Sequence, residues 1–187
     1  DFEGEEGTFV GPAWTERAGD WGRRSGVLLP LTPGGDHLLT FNGWRFRNGQ
    51  VQARLRLNGP SGTLGLGLRL GGYGQTGLPT RGLLVEIDPA GLLKAWRVQD
   101  WTLLGQTALP GFTPGAWLSL GVEVSGSTLT ATVGGQAVLQ IQDPTLESEP
   151  EGEVGIWSHE PPAPEAHAVD TFTLFPQQIQ KTFTPSP

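Results

Sequence analysis

The chain contains no cysteine and no methionine, only two lysines, and no long apolar run. The absence of cysteine excludes disulfide bonds and thiolate metal sites. No apolar segment approaches the roughly 20 residues that a membrane-spanning helix needs, so direct membrane insertion is not expected. The net charge is −7. Because phosphate binding needs a basic surface, nucleic acid is not an expected partner either.

The missing methionine also bears on the origin of the chain. A chain that begins at Asp1 is expected to be a processed mature form or a segment of a longer protein. Loss of cysteine and methionine together with abundant proline is typical of thermophile proteins. Glycine and proline are plentiful, with 29 and 16 among 187 residues, which favours one domain with many turns and little helix.

Alternation of apolar and polar side chains predicts strands. In residues 51–57 every second residue is apolar, and successive side chains of a strand point to opposite faces. Four residues are therefore predicted to face a core, namely Val51, Ala53, Leu55 and Leu57. The Asn58-Gly59 pair that follows is typical of a hairpin turn.

The same period continues along the chain, with Gly65 and Gly67 on the alternate face of residues 63–70. Further strands are predicted at residues 83–88, 92–98, 117–124, 128–133, 137–141, 154–157 and 169–175. About a dozen short strands and no amphipathic helix predict an all-β antiparallel fold, with two packed sheets or one sheet closed on itself. Residues 142–152 and 158–168 are predicted to be loops. The domain is expected to span residues 1–175, and residues 176–187 a polar tail or linker.

Four ordered segments resemble a known family. They are Asp1-Phe2-Glu3 with Trp14 and Gly19-Asp20-Trp21; Pro114-Gly115-Ala116-Trp117 and the strand after it; Ser125-Gly126-Ser127 with Gly134-Gly135; and Glu153-Val154-Gly155-Ile156-Trp157 with Val169-Asp170-Thr171-Phe172. Together they look like the concanavalin A-like modules of bacterial secreted and surface proteins. The resemblance implies a two-sheet jelly-roll sandwich. It implies no single activity, since the family includes lectins, laminin G-type adhesion modules, sugar-binding appendages and glycoside hydrolases.

One carboxylate pair resembles a catalytic motif of this family. The laminarinase-type hydrolases carry E-x-D-x-x-E on one strand, and Glu86-Ile87-Asp88 matches its first half. Gly91 stands where the general acid/base carboxylate is expected. A retaining glycosidase needs two carboxylates about 5 Å apart, one of which protonates the leaving group. The sequence therefore predicts no catalytic residues and no enzyme.

Sugar rings stack on aromatic side chains, so aromatic residues outside the family motifs are candidate carbohydrate-binding residues. Trp14, Trp21, Trp117 and Trp157 belong to those motifs and are interpreted as structural. The predicted binding residues are Trp96, Trp101, Trp44, Tyr73, Arg97 and Asp100. An outward sheet face bearing Arg54, Arg56 and Arg69 is a further hypothesis, directed at acidic glycan groups.

No cofactor is predicted firmly, although a structural calcium ion is one possibility. Calcium prefers several carboxylate and backbone oxygens. In related modules the terminal strands often pair, which would bring together Asp1, Glu3 and Asp170. A loop metal site involving His159, Glu160, Glu165 and His167 is disfavoured by the interspersed prolines.

The favoured function is a non-catalytic carbohydrate-binding or adhesion module of a larger extracellular protein, with a glycan as partner. The alternative is a structural or decoration module of a virion, tail fibre or surface appendage, which would pack against copies of itself or neighbouring domains. A glycoside hydrolase is less favoured because of Gly91. Each of these functions places the protein outside the cell, at a cell surface or at a virion surface.

Overall fold

The computed structural model describes residues 11–42 and 44–176 and consists of two antiparallel sheets of seven strands each. The strands in chain order are β1 (Trp14–Ala18), β2 (Trp21–Arg24), β3 (Val27–Pro30), β4 (Asp36–Phe41), β5 (Gly49–Leu57), β6 (Thr63–Gly71), β7 (Arg81–Ile87), β8 (Leu92–Arg97), β9 (Thr102–Ala108), β10 (Trp117–Ser125), β11 (Thr128–Val133), β12 (Gln136–Gln142), β13 (Glu153–His159) and β14 (His167–Pro176). The prediction of an all-β, two-sheet antiparallel sandwich is confirmed.

We call the two sheets sheet I and sheet II. Sheet I has the order β1-β4-β13-β6-β7-β8-β9, and sheet II has the order β12-β11-β10-β5-β14-β3-β2. The edge strands β9 and β12 contact each other on one side of the sandwich. Half of the neighbouring pairs in each sheet join strands that are not consecutive in the chain, so the fold depends strongly on long-range pairing.

The core lies between the two sheets and follows the period of two in the strands. The predicted inward residues of β5 are 1% exposed or less, and β10 adds Leu120, Val122 and Val124, each fully buried. From sheet I, the core receives Leu64, Leu66 and Leu68 of β6. Truncating one such leucine to alanine costs about 2–5 kcal/mol, which is a large share of a domain's stability.

One predicted loop contains a helical turn. Within residues 142–152, the helix α1 (Thr145–Ser148) buries Leu146 completely. Asp143 accepts hydrogen bonds from the backbone N–H and the hydroxyl of Thr145, at 2.9 and 2.8 Å. In the part of the chain that the structure describes, no helix is long and apolar enough to cross a membrane.

Strand β6 changes its alternation at Arg69, whose φ is +54°. Leu68 faces the core between the sheets, whereas Leu70 faces the outer side of sheet I. The Arg69 side chain is 1% exposed, and it donates hydrogen bonds to Arg47 O at 2.7 Å, to Asn48 Oδ1 at 3.2 Å and to Leu146 O. Burial lowers its pKa. The hypothesis that Arg69 shares a solvent-facing surface with Arg54 and Arg56 is therefore wrong, because those two residues lie on β5 of sheet II.

Two buried histidines connect the sheets at one end of the sandwich. His37 on β4 and His167 on β14 are each 1% exposed. His167 Nδ1 lies 2.8 Å from Ser158 Oγ, and His37 Nε2 lies 3.0 Å from Gly34 O. Burial, with a smaller contribution from the neighbouring His37, lowers the pKa of His167 to about 4. Side chains of both sheets therefore meet here around the imidazole of His167, which burial keeps neutral.

Candidate functional site

The outer face of sheet I is partly covered by the connection between β6 and β7. This connection, residues 72–80, places Tyr73 and Leu78 against a second apolar cluster. The Tyr73 hydroxyl donates to Glu153 Oε2 at 2.5 Å, and the Arg17 guanidinium lies 4.2 Å from the centre of the Tyr73 ring. Burial and the bond to Glu153 raise the pKa of Tyr73 well above its usual value. The buried members of the cluster are Leu38, Leu70, Leu84, Val98 and Trp157.

Glu86 lies on this outer face because its neighbours on β7, Val85 and Ile87, point into the core. Its carboxylate accepts three hydrogen bonds. Trp96 Nε1 donates to Oε1 at 2.9 Å, while Trp157 Nε1 and Thr63 Oγ1 donate to Oε2 at 3.0 and 2.6 Å. Four strands thus supply one carboxylate and its donors, which fixes its orientation in the sheet.

The register of the strands explains how Trp157 reaches Glu86. Gly65 of β6 pairs with Trp157 of β13 on one side and with Glu86 of β7 on the other. Since glycine has no side chain, the indole of Trp157 extends across β6 to the carboxylate. Trp157 is 4% exposed, so its ring packs in the sheet and its indole N–H donates to Glu86.

Charged groups surround Glu86 but pair elsewhere. Lys94 lies opposite Glu86 in the register of β8, yet its ammonium binds Asp88 at 3.1 Å. His159 stacks on Trp157 with an interplanar angle of 2° and a centroid distance of 6.2 Å, and its Nδ1 lies 2.6 Å from Asp36 Oδ1. Among the described residues, Glu86 therefore forms no ion pair.

The structure distributes the sequence-predicted sugar-binding residues over three places. Trp96 and Tyr73 pack against the same apolar cluster on the outer face of sheet I. Arg97, Asp100 and Trp101 lie together where β8 turns into β9, and Arg97 binds Asp100 at 2.7 Å. This bond lowers the pKa of Asp100 to about 2. Arg97 also donates to Thr145 Oγ1 at 2.8 Å.

Trp44 lies apart from these residues, in the connection between β4 and β5, and it is not a member of the apolar cluster. Its side chain is 52% exposed, close to the 53% of Trp101. Trp101 differs in its backbone, because its φ is +50°, a conformation that costs an ordinary residue about 1–2 kcal/mol.

Sequence reasoning assigned Glu86 only to the incomplete hydrolase-like motif and interpreted Trp157 as structural, so it missed the hydrogen bond between them. The signal was present, because the period of two places Gly155, Trp157 and His159 on one face of β13, as it does Glu86 on β7. The sequence could not show that β13 and β7 belong to the same sheet and are separated by one strand, β6. That relationship depends on the long-range pairing of β13 with β6.

The missing third carboxylate of the hydrolase-like motif has a structural reason. Gly91 has a φ of +76°, and a Cβ atom there would lie 2.8 Å from the side chain of Phe112. The turn is held by Asp88, whose Oδ1 accepts the backbone N–H groups of Ala90 and Leu92, each at 3.0 Å. A glutamate at position 91 would therefore need a different turn.

Of the predicted calcium ligands, Asp1 and Glu3 lie outside the described residues. Asp170 lies on β14 and binds the Arg54 guanidinium at 2.7 Å. Within residues 11–42 and 44–176, no group of three or more His, Cys, Asp or Glu side chains is placed to hold a metal ion. The calcium site stays a prediction.

No protein-family model matches the chain, and neither does any curated protein. Solved structures do match. The carbohydrate binding module CBM66 from Bacillus subtilis has a TM-score of 0.70 at 15% identity, covering 87% of this chain and 95% of that one. The laminarinase catalytic domain from Thermotoga maritima has a TM-score of 0.65 at 13% identity, covering 94% and 95%. The carbohydrate recognition domain of Emp46p has a TM-score of 0.64 at 13% identity, covering 87% and 88%.

The fold is a concanavalin A-like jelly-roll β-sandwich. The resemblance found in the four sequence segments is thereby confirmed at the level of fold. Concanavalin A-like domains among these structures include binding modules and a catalytic domain. At these identities the similarity shows the fold alone, and a function has to be argued from the site itself.

Proposed function

We propose that this domain is a non-catalytic module that binds a neutral carbohydrate on the outer face of sheet I, at Glu86. One observation carries the proposal. The Glu86 carboxylate is fixed by two indole N–H groups and one hydroxyl, with no cation paired to it among the described residues, next to the partly exposed ring of Trp96.

A fixed carboxylate is a suitable acceptor for sugar hydroxyls. Two carboxylate oxygens offer about four acceptor positions, and three are used by Trp96, Trp157 and Thr63. The remaining position can accept a sugar hydroxyl in a charge-assisted hydrogen bond. Beside the Glu86 carboxylate, the ring of Trp96 supplies an apolar surface on which a sugar ring can stack.

The charges favour a neutral ligand over an acidic one. Lys94 pairs with Asp88 and roughly cancels its charge, whereas the partly exposed Asp36 lies beside His159, which carries a positive charge only when protonated, so neither pair leaves a positive charge over on this face. Glu86 leaves one negative charge in the middle of the face. A uronate or sulfate placed next to it would be repelled, whereas hydroxyl groups would be attracted.

Binding is favoured over hydrolysis because a proton donor for the leaving group is missing at position 91. Gly91 occupies a turn that excludes a side chain, and both oxygens of Glu86 already accept hydrogen bonds. Retaining glycoside hydrolysis needs a second carboxyl group as general acid. The similar solved structures include carbohydrate-binding domains and a laminarinase catalytic domain, so the preference for binding rests on Gly91 and Glu86. Such a module would serve an extracellular protein.

A glycan array with neutral and acidic glycans, followed by calorimetry with the best ligand, tests the proposal. We expect a neutral glycan to bind, and Glu86→Ala and Trp96→Ala to weaken binding by about tenfold or more, because each removes a charge-assisted bond or a stacking ring. Phe175→Ala is the matched control, since Phe175 is an aromatic residue on sheet II that is 49% exposed. Absence of any neutral ligand, or equal loss in all three variants, contradicts the proposal. Glycan turnover that disappears in Glu86→Gln would contradict its non-catalytic part.

A further inference from the structure

The opposite face of the sandwich carries two arginines over one tryptophan. Trp117 of β10 pairs directly with Arg56 of β5. Arg54 precedes Arg56 by two residues on β5 and lies on the same outer face. The guanidinium carbons of Arg54 and Arg56 lie 5.1 and 4.9 Å from the centre of the Trp117 ring. Both head groups are thus held by cation–π contact on sheet II.

The two arginines differ in how their charge is balanced. Arg54 binds Asp170 at 2.7 Å. Arg56 forms no ion pair with any described residue, and its Nε is buried without a hydrogen-bond partner. The terminal nitrogens of Arg56 are not among the buried unpaired atoms. They therefore present unused N–H donors to the surroundings.

Arg56 is also one of the residues that line a surface pocket beside the end of β5. Its lining consists of Arg56, Asn58, Ala163, Pro164, Glu165 and Ala166. The backbone N–H of Asn58 donates to Ala166 O at 2.6 Å, which holds the two sides of the pocket together. Glu165 is the acidic residue of the lining, and its carboxylate is bound by Arg24. The charge of Arg56 stays uncompensated in the pocket.

We propose that this pocket binds the oxyanion of an acidic saccharide, either a uronate carboxylate or a sulfate ester. The planar guanidinium fork of arginine matches both groups with two parallel hydrogen bonds, and stacking on Trp117 holds its plane. Asn58 lines the same pocket and can donate its side-chain N–H groups to the oxyanion. The pocket lies on the opposite sheet from Glu86, and it does not depend on the neutral-sugar proposal.

Calorimetry on the full chain tests the pocket with three probes: an oligogalacturonate, a sulfated oligosaccharide of equal length and inorganic sulfate. We expect at least one acidic saccharide to bind more tightly than sulfate, and Arg56→Gln to weaken it by about tenfold or more, because a bidentate charge-assisted contact is lost. Arg56→Lys keeps the charge without the fork and should recover only part of the affinity. The uronate and sulfated probes distinguish the two sources of the oxyanion.

Two controls separate this site from general attraction and from the sheet I site. Arg45→Gln removes the same charge from an exposed position between β4 and β5 and should leave binding within about twofold. Glu86→Ala should leave acidic-saccharide binding intact even if it removes neutral-glycan binding. The proposal is overturned if no acidic saccharide binds, if Arg56→Gln binds like the parent protein, or if Arg45→Gln loses as much affinity as Arg56→Gln.

Discussion

Trp157 on β13 donates its indole N–H to Glu86 on β7 across 3.0 Å, although strand β6 lies between them. The contact is possible because Gly65 occupies the position of β6 that pairs with both residues. The carboxylate of the proposed binding site is thereby oriented by a residue on β13, with β6 between the two strands. The local sequence of β7 alone does not specify this site.

Gly65→Ala is expected to destabilise the protein. A Cβ atom at residue 65 would lie 2.0 Å from Val85 O, so β6 and β7 would have to move apart. We expect a loss of about 1–3 kcal/mol in the free energy of unfolding, measured by urea denaturation. Gly74→Ala is the control, because the nearest atom to its Cβ is Leu78 O at 3.9 Å. Equal stability of the two variants would contradict the close approach of β6 and β7.

Glu86→Gln is expected to destabilise the fold as well as the site. The amide nitrogen of glutamine would replace an oxygen that accepts an indole N–H, so one buried donor would lose its partner. The expected cost is about 1–3 kcal/mol in urea denaturation. Glu123→Gln, an exposed residue of β10, removes the same charge and should change stability little. If both variants unfold at the same urea concentration, the carboxylate is not held as described.

The fold could be predicted from the sequence where alternation is regular. Strand β5 is the clearest case, since its four apolar residues all face the core. Unbroken alternation along β6 would place Leu70 in the core with Leu68, but the positive φ at Arg69 turns Leu70 to the outer face, and arginine is not a residue type that signals such a change. Helix α1 was missed because one turn with a single buried leucine gives no periodic signal.

The candidate site was harder to predict than the fold. Composition directed attention to the tryptophans, and one of them, Trp96, donates a hydrogen bond to Glu86, but the binding role of these residues stays a prediction. The role of Trp157 depends on the pairing of β13 with β6, which joins residues about ninety positions apart in the chain. The Arg56 pocket depends on the loop before β14 folding beside the end of β5. Neither relationship leaves a pattern within a single strand.

Stability is expected to fall on acidification because of His167. Its pKa is lowered to about 4 in the folded state, mainly by burial, from a model-peptide value of 6.5. The unfolded chain therefore binds a proton more readily between these values. The stabilisation is complete above about pH 6.5 and is lost as the pH falls towards 4, by about 3 kcal/mol. The neighbouring His37 and His159 make smaller contributions to the lowered pKa of His167.

Urea denaturation at several pH values between 7 and 4 measures this effect. His167→Gln should be less stable at pH 7 but should show a weaker dependence on pH. His159→Gln removes an exposed histidine that pairs with Asp36 and should keep most of the dependence. An unchanged pH dependence in His167→Gln would show that other groups cause the acid sensitivity.

Arg69 combines a backbone effect with a side-chain effect, and two variants separate them. Arg69→Ala and Arg69→Gly both remove the donors to Arg47 O, Asn48 Oδ1 and Leu146 O, and we expect each to lose about 2–4 kcal/mol of stability. Alanine at a φ of +54° is strained, whereas glycine is not. Arg69→Gly should therefore be more stable than Arg69→Ala by about 1 kcal/mol. The opposite order in thermal or urea unfolding would contradict the left-handed conformation at this residue.

Trp101 offers a separation of stability from binding. Its side chain is 53% exposed and its φ is +50°, so the fold gains little from the indole and tolerates asparagine well. If Trp101 extends the sugar-binding face beyond Trp96, Trp101→Asn should keep or raise the unfolding temperature while weakening the neutral glycan by about tenfold, as expected for a lost stacking ring. Trp44→Asn, at a similarly exposed ring away from the apolar cluster, is the control for a general loss of aromatic surface. An unchanged affinity in Trp101→Asn would show that the indole of Trp101 does not contact the ligand. The site would then be limited to Glu86, Trp96 and Trp157.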